Sequence, residues 1–263
     1  MKLIKAGSSF FAIMLLLTSF KKPDQPDPNF HLYLLVGQSN MAGRGIITPE
    51  YTNISQPNVL MLDKENNWVT ASHPLHFDKP ARAGVGPGLA FGLEMAKANP
   101  SVRIGLIPCA VGGTPIESWQ PAAMDRATKK YAYDDAVARL HIAMKKGVIK
   151  GIIWQQGEAN STIERSEGYL EKLESLIARL RKEAGNSNLP FVAGQLGRYR
   201  DNYTLVNDQL KQLPAKVKNT AVASSEGLVH KGDKTHFDAA SATELGKRFA
   251  AQMIPLMQKN TNQ

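Results

Sequence analysis

The chain has a single cysteine, Cys109, among 263 residues, so no intramolecular disulfide can form and the cysteine count is silent on compartment. It also lacks any long block of consecutive basic residues. The 32 lysines and arginines exceed the 23 acidic residues by a formal +9, but they are spread along the chain. A balance this diffuse argues against a nucleic-acid-binding stripe and fits attraction to acidic polymers or plain solubility. No nucleic acid partner is expected. No apolar run is long enough to span a bilayer comfortably, no internal repeat is visible, and no composition break past residue 30 marks a second domain. What is present is 43% hydrophobic content, enough for a sizeable buried core.

The first thirty residues differ from the rest. Lys2 and Lys5 precede the apolar stretch from Phe10 to Leu17, and KKPDQPDP then breaks all periodicity. This is the pattern of a secretory signal peptide over 1–20 and a proline-rich linker over 21–29, leaving one domain over 30–263. An uncleaved anchor is the alternative, since no A-x-A cleavage pattern occurs. The expectation is a secreted or periplasmic protein with no stable membrane span in its mature form; its oligomeric state stays open.

From His31 onward short apolar runs alternate with amphipathic stretches. HLYLLVG (31–37), RIGLIPCAVGG (103–113), KGIIWQQG (150–157), LPFVAGQLG (189–197) and NTAVASSEG (219–227) are bounded by Gly, Pro or polar residues, as buried parallel strands are. Between them lie helical patterns over 87–99, 134–147, 164–185 and 239–258; in the third, Leu170, Leu173, Leu176, Ile177 and Leu180 share one face. Such alternation implies an α/β fold, one doubly wound, mainly parallel sheet with helices on both faces.

In sheets of this kind, sites lie outside the carboxyl ends of the strands. There the sequence places Gly37-Gln38-Ser39-Asn40-Met41, Val111-Gly112-Gly113-Thr114, Gln155-Gln156-Gly157-Glu158-Ala159-Asn160 and, before the last helix, Asp233-Lys234-Thr235-His236-Phe237. Together they supply the parts of an acyl-transfer site. A serine hydroxyl needs a base, for which His236 is the candidate, and the imidazole needs a carboxylate to hold it, which Asp233 can provide from the same loop. Negative charge on a tetrahedral intermediate needs donors: the NH of Ser39, an NH of Gly112 or Gly113, and the Gln156 amide. No metal and no cofactor are required. Each part also has a plainer reading, Ser39-Asn40 as a helix cap and Gly112-Gly113 as a tight turn.

The four blocks GQSNM, PCAVGGTPIESW, WQQGEAN and DKTHFD resemble, in order along residues 31 to 258, the sialate O-acetylesterase and acetylxylan-esterase branch of the SGNH (GDSL-like) hydrolases. The resemblance implies a flavodoxin-like three-layer α/β/α fold and removal of acetyl groups from carbohydrate hydroxyls, the substrate being an acetylated xylan-type glycan or sialic acid. It also implies Ser39 as nucleophile, Asp233 and His236 as its partners, and an oxyanion hole of Ser39, Gly113 (or Gly112) and Gln156. In the wider superfamily the third block carries an asparagine where this chain has QGE. Asn40 and Gly112 then stand as supporting residues, and Glu158 as a brace between loops or an alternative orienter of His236.

Two rival readings remain. Cys109, at a strand end, is the other nucleophile and would make the protein a thiol-dependent hydrolase or acyltransferase. A non-catalytic carbohydrate-binding protein on the same fold would instead present Trp119, Trp154 or nearby tyrosines to sugar faces. The glycine run 84–88 lacks phosphate-loop spacing, and His73 and His76 have a loose metal-ligand spacing with no further ligands nearby. The N-terminal pattern itself yields a measurable expectation. Exported material should begin between about residue 18 and residue 28, as signal peptides of ordinary length imply; N-terminal sequencing checks this, and full-length protein retained in the cytosol contradicts it.

Overall fold

The computed structural model describes residues 25–261; the expected signal segment 1–20 and the start of the linker lie outside them. Seven strands form one sheet: β1 (Asp27–Gly37), β2 (Val59–Leu62), β3 (Trp68–Thr70), β4 (Arg103–Pro108), β5 (Gly147–Gln155), β6 (Phe191–Gly194) and β7 (Thr220–Ala223). β1 begins inside the segment expected to be linker, where the Arg103 side chain ion-pairs with Asp27 at 2.9 Å. The order across the sheet is β3-β2-β4-β1-β5-β6-β7, and every neighbouring pair is parallel except β2 with β3.

β1 lies at the middle and its residues are divided between two cores. Phe30, Leu32, Leu34 and Val36 face one helical layer, and Tyr33 and Leu35 face the other, as a period of two requires. The first layer is built from the helices Ala132–Met144, Tyr169–Glu183 and Thr204–Leu210, the second from Pro87–Ala98 and Ala239–Thr261. With helices on both faces the sheet is the expected three-layer α/β/α sandwich. Omitting the β2–β3 hairpin, the parallel strands run 2-1-3-4-5 in their own sequence order, the flavodoxin-like arrangement.

The hairpin itself is not anticipated by the apolar pattern. Val59–Leu62 is short, and Trp68–Thr70 is largely exposed, so neither forms a run that stands out. β4 and β6 are shorter than their apolar stretches, ending at Pro108 and Gly194, whereas β1 and β5 start before theirs, at Asp27 and Gly147. The helix expected over 164–185 is broken at Gly168, whose φ of +65° is left-handed. A short turn of helix, Ile163–Ser166, precedes the break, and Tyr169–Glu183 follows with Leu170, Leu173, Leu176, Ile177 and Leu180 buried. In the second layer, a Cβ on Gly246 would lie 2.2 Å from the carbonyl oxygen of Pro87, so glycine is what lets the last helix seat against Pro87–Ala98. Among the described residues no helix is long and apolar enough to cross a membrane.

Candidate active site

The chain turns from β4 on one side of β1 to β5 on the other, so the exits of these three strands share one crevice. Gly37 ends β1 with φ +133°, and a Cβ there would fall 2.2 Å from the Gln155 carbonyl oxygen of β5. Only glycine permits that approach. The Gln38 NH then donates to the same oxygen at 2.9 Å, and the short helix Ser39–Ala42 begins at once. Residue 38, not 39, occupies the capping position, and no side chain caps this helix. The helix-cap reading of Ser39 is therefore not what the structure shows.

Ser39 Oγ lies 3.0 Å from Nε2 of His236, which arrives from a loop 197 residues further on. Nδ1 of the same ring lies 2.7 Å from Asp233 Oδ2. The other carboxylate oxygen, Oδ1, accepts the backbone NH groups of Thr235 at 2.9 Å and His236 at 2.8 Å. Burial opposes ionisation of Asp233, but the His236 NH, its ring and the Thr235 NH outweigh it and draw the carboxyl down to about 2. Desolvation holds the His236 imidazole below its ordinary value of 6.5, against the pull of Asp233. A neutral ring with its proton on Nδ1, facing the carboxylate, leaves the Nε2 lone pair toward Ser39. The loop is also knitted to itself: the Lys231 NH donates to the His236 carbonyl at 2.9 Å, and His230 Nδ1 accepts from Gly232 at 2.9 Å and Lys234 at 3.2 Å.

The turn after β4 is fixed by two residues that the motifs do not reveal. Asp78 Oδ2 accepts the Gly112 NH at 2.7 Å and Arg44 Nη2 at 2.7 Å, and both side chains of this ion pair are only 3% exposed. A Cβ on Gly112 would lie 2.5 Å from Arg44 Nη2 and 3.4 Å from Ser39 Cβ, so the backbone is pressed against both the pair and the serine. The Gly112 NH is thus already used. Gly113, at φ +93°, lines the cavity above Ser39. Neither its NH nor that of Ser39 donates to a protein acceptor among the described residues.

Gln156 is a correction to the expected oxyanion hole. Its side chain is fully buried and does not line the cavity. Its amide nitrogen donates to Thr114 O at 3.2 Å and Asn160 Oδ1 at 2.7 Å, and its oxygen accepts from the Tyr169 hydroxyl at 3.0 Å. Both amide hydrogens are consumed in tying the turn after β4 to the turn after β5. Gln155 faces the opposite side, where Nε2 donates to Gln195 O at 3.2 Å. Asn160 is likewise a structural knot, accepting the Ile116 NH at 2.9 Å and donating to Glu117 Oε2 at 2.9 Å.

Asn40 and Glu158 meet beside the serine, Asn40 Nδ2 donating to Glu158 Oε1. Since Asp233 occupies Nδ1 of His236 and Ser39 its Nε2, Glu158 does not touch the ring. The rival groups lie elsewhere. Cys109 is outside the cavity that holds Ser39, and burial pushes its thiol up to about 11, which makes a poor nucleophile at neutral pH. Trp119 and Trp154 are wholly buried, packed edge to face at 5.2 Å, so neither is available to a sugar. His73 and His76 are pushed down to about 4 by desolvation. Among the described residues no three His, Cys, Asp or Glu side chains are grouped as metal ligands would be.

The cavity over Ser39 measures about 730 Å³, within the range of small-molecule sites. Lys79, Arg82, Arg200 and Lys231 stand around it, with Ile46 and Ile47 as an apolar patch on the rim.

Residues 29–255 match the family described as carbohydrate esterase, sialic acid-specific acetylesterase. A probable carbohydrate esterase of Arabidopsis thaliana is 31% identical over 253 residues, covering 87% of this chain and 93% of its own length. The crystal structure of an Arabidopsis protein under the same locus name superposes with a TM-score of 0.76 at 30% identity, over 87% of this chain and 99% of that one. The structure of NanS shares the fold, with a TM-score of 0.72 at 16% identity over 90% of this chain and 99% of that one. The match to the family over most of the chain, together with the Arabidopsis relative, establishes that this protein belongs to the sialic acid-specific acetylesterase family of carbohydrate esterases.

Proposed function

We propose that this carbohydrate acetylesterase removes O-acetyl groups through Ser39, His236 and Asp233, and that its substrate is a carboxylate-bearing sugar of the sialic acid type. The observation that carries the first half is the unbroken relay from Ser39 Oγ through both ring nitrogens to Asp233, at 3.0 and 2.7 Å. Ser39 Oγ attacks the acetyl carbonyl while His236 Nε2 takes its proton; Asp233 stabilises the imidazolium that forms. The carbonyl oxygen becomes negative between the Ser39 and Gly113 NH groups, which no protein acceptor occupies among the described residues. Collapse expels the sugar hydroxyl, protonated by His236, and leaves acetyl on Ser39. A water activated by the same base then releases acetate and restores the serine.

The second half rests on charge. Lys79, Arg82, Arg200 and Lys231 surround the cavity, against the carboxyls of Asp233 and Glu158, with Lys231 4.0 Å from Asp233. Such a rim draws an anionic sugar toward the serine more than it draws a neutral xylan-type chain. Export, inferred from the first thirty residues alone, fits an enzyme that meets glycans outside the cytoplasm.

Ser39→Ala and His236→Ala should each cost on the order of 10⁴-fold in kcat with the fold intact, since the members of such a unit fail together; more than a tenth of wild-type turnover in either would remove the assignment. The sign of the pH dependence follows from the base having to be neutral. The His236 ring, followed by NMR, should titrate below 6.5 because desolvation disfavours its charged form, so the base stays competent as pH falls toward that value. A ring that titrates above 6.5 would mean that Asp233 dominates and that activity is lost earlier on acidification. For the substrate, an O-acetylated sialic acid should be deacetylated with higher kcat/KM than an acetylated xylo-oligosaccharide, and the preference should shrink at high salt and in Lys79→Ala and Arg82→Ala. Equal rates at low salt would exclude selection by charge.

A further inference from the structure

Asn40 makes three hydrogen bonds whose geometry goes beyond a supporting role. Its Nδ2 donates to the Thr235 carbonyl at 3.0 Å and its Oδ1 accepts the Phe237 NH at 3.1 Å, so one side chain grips the backbone on both sides of His236. Because Asn40 follows Ser39 in the same short helix, this grip fixes the distance between nucleophile and base. The grip works in only one orientation of the amide. Rotated by half a turn, the amide would set its oxygen against the Thr235 carbonyl and its NH₂ against the Phe237 NH, and both contacts would be repulsive.

The remaining hydrogen of Asn40 Nδ2 goes to Glu158 Oε1. Glu158 comes from the exit of β5, where it starts the helical turn Glu158–Asn160, and its other oxygen, Oε2, is buried without a partner among the described residues. An ionised carboxyl can only accept, so it admits the NH₂ end of Asn40 and rejects the oxygen end. We propose that Glu158 is a positioning residue for the esterase reaction, one that locks the Asn40 amide in the orientation that holds His236 on Ser39. This rests on the reading of Ser39 and His236 as the reacting pair and adds to it a residue that touches neither substrate nor imidazole.

The lock has a titration of its own. Burial pushes the Glu158 carboxyl up to about 7, with the Asn40 hydrogen bond opposing the rise. Tyr169 from the helix after β5 and Tyr199 and Tyr203 from the loop after β6 face it, and burial raises all three, so they carry no charge near neutrality; Arg44, Lys79, Arg82, Arg200 and Lys231 line the same cavity. Asp233 and His236 lie beyond Asn40 and respond to each other first. As pH falls through the Glu158 value the carboxyl gains a proton and becomes able to donate, and the preference for one Asn40 orientation weakens while His236 is still neutral. Activity is therefore lost in two proton steps, Glu158 first and His236 second.

The test compares wild type, Glu158→Gln, Asn40→Ala and the double variant, using an acetylated sugar and kcat, KM and pH profile as readouts. Glu158→Gln keeps an acceptor but can also present an NH₂ group; kcat should fall about 10²-fold, the cost of a slightly misplaced base, with KM within twofold. Its acid limb should become a single ionisation, whereas the wild type should show two. In the Asn40→Ala background the same substitution should cost nothing further, because the lock has no clamp to act on. An unchanged kcat and pH profile in Glu158→Gln, or a full additional loss in the double variant, overturns the proposal. Should Glu158→Gln fold poorly, the wild-type limb and Asn40→Ala decide: a one-proton limb together with undiminished kcat in Asn40→Ala also overturns it. Failure of the underlying reading looks different, since it leaves Ser39→Ala active.

Discussion

The parallel pairing of β1 with β4 on one side and β5 on the other is the constraint from which the site follows. Parallel strands all end at the same edge of a sheet, so the residues that leave them are delivered to one rim however far apart they stand in the chain. β1 delivers Ser39 and Asn40, β4 delivers Gly112 and Gly113, and β5 delivers Gln156 and Glu158. None of this needs a local motif to be long. It needs Gly37 to let β1 approach the Gln155 carbonyl, and two cores to clamp the strand from either face.

The rim so formed is bound together mostly by groups outside the chain of contacts from Ser39 through His236 to Asp233. Gln156 and Asn160 knot the exits of β4 and β5, the Arg44–Asp78 pair presses the Gly112 turn against the serine, and Tyr199 donates to the Thr235 carbonyl at 3.0 Å. The three carboxyls near Ser39 show how position alone sets behaviour. Asp233 collects two backbone NH groups and a ring and is held strongly acidic, Asp78 faces a guanidinium, and Glu158, with one neutral amide for company, is raised toward neutrality. Several donors offset the cost of burying a charge better than one does, and the order of acidity of Asp233 and Glu158 follows the number of their donors against the desolvation each suffers.

Much of the fold is legible in the sequence because β1, β4, β5 and β6 are buried on both faces along most of their length and so stand out as continuous apolar runs. The hairpin β2–β3 is not, since β2 is apolar but only four residues long and β3, at the sheet's edge, needs neither length nor hydrophobicity; the break at Gly168 is hidden by an apolar face that continues on its far side. At the site, Ser39, Gly113 and His236 are visible as motif residues at strand exits, and the structure gathers them. Gln156 is misplaced by sequence reasoning for a physical reason: alternation tells which way a side chain points only while the strand lasts, and β5 ends at Gln155. Arg44 and Asp78 leave no signal because an ion pair between two loops has no period and no spacing to read. Nor can a sequence disclose that Trp119 and Trp154 face each other in the core instead of a ligand.

Mechanically, the loop that carries His236 is a unit of its own. Its internal bonds, from Asp233 to two NH groups and the ring and from His230 to two more, outnumber those that fasten it to the first strand's exit through Ser39 and Asn40. Aspartate and histidine are therefore parts of one small cassette, and the seam of the molecule runs between cassette and serine. Were that seam to part, the imidazole would leave with the Asp233 carboxylate still against its Nδ1. Reassembly is then the docking of one preformed body, with the Ser39 and Asn40 contacts across the seam left to remake.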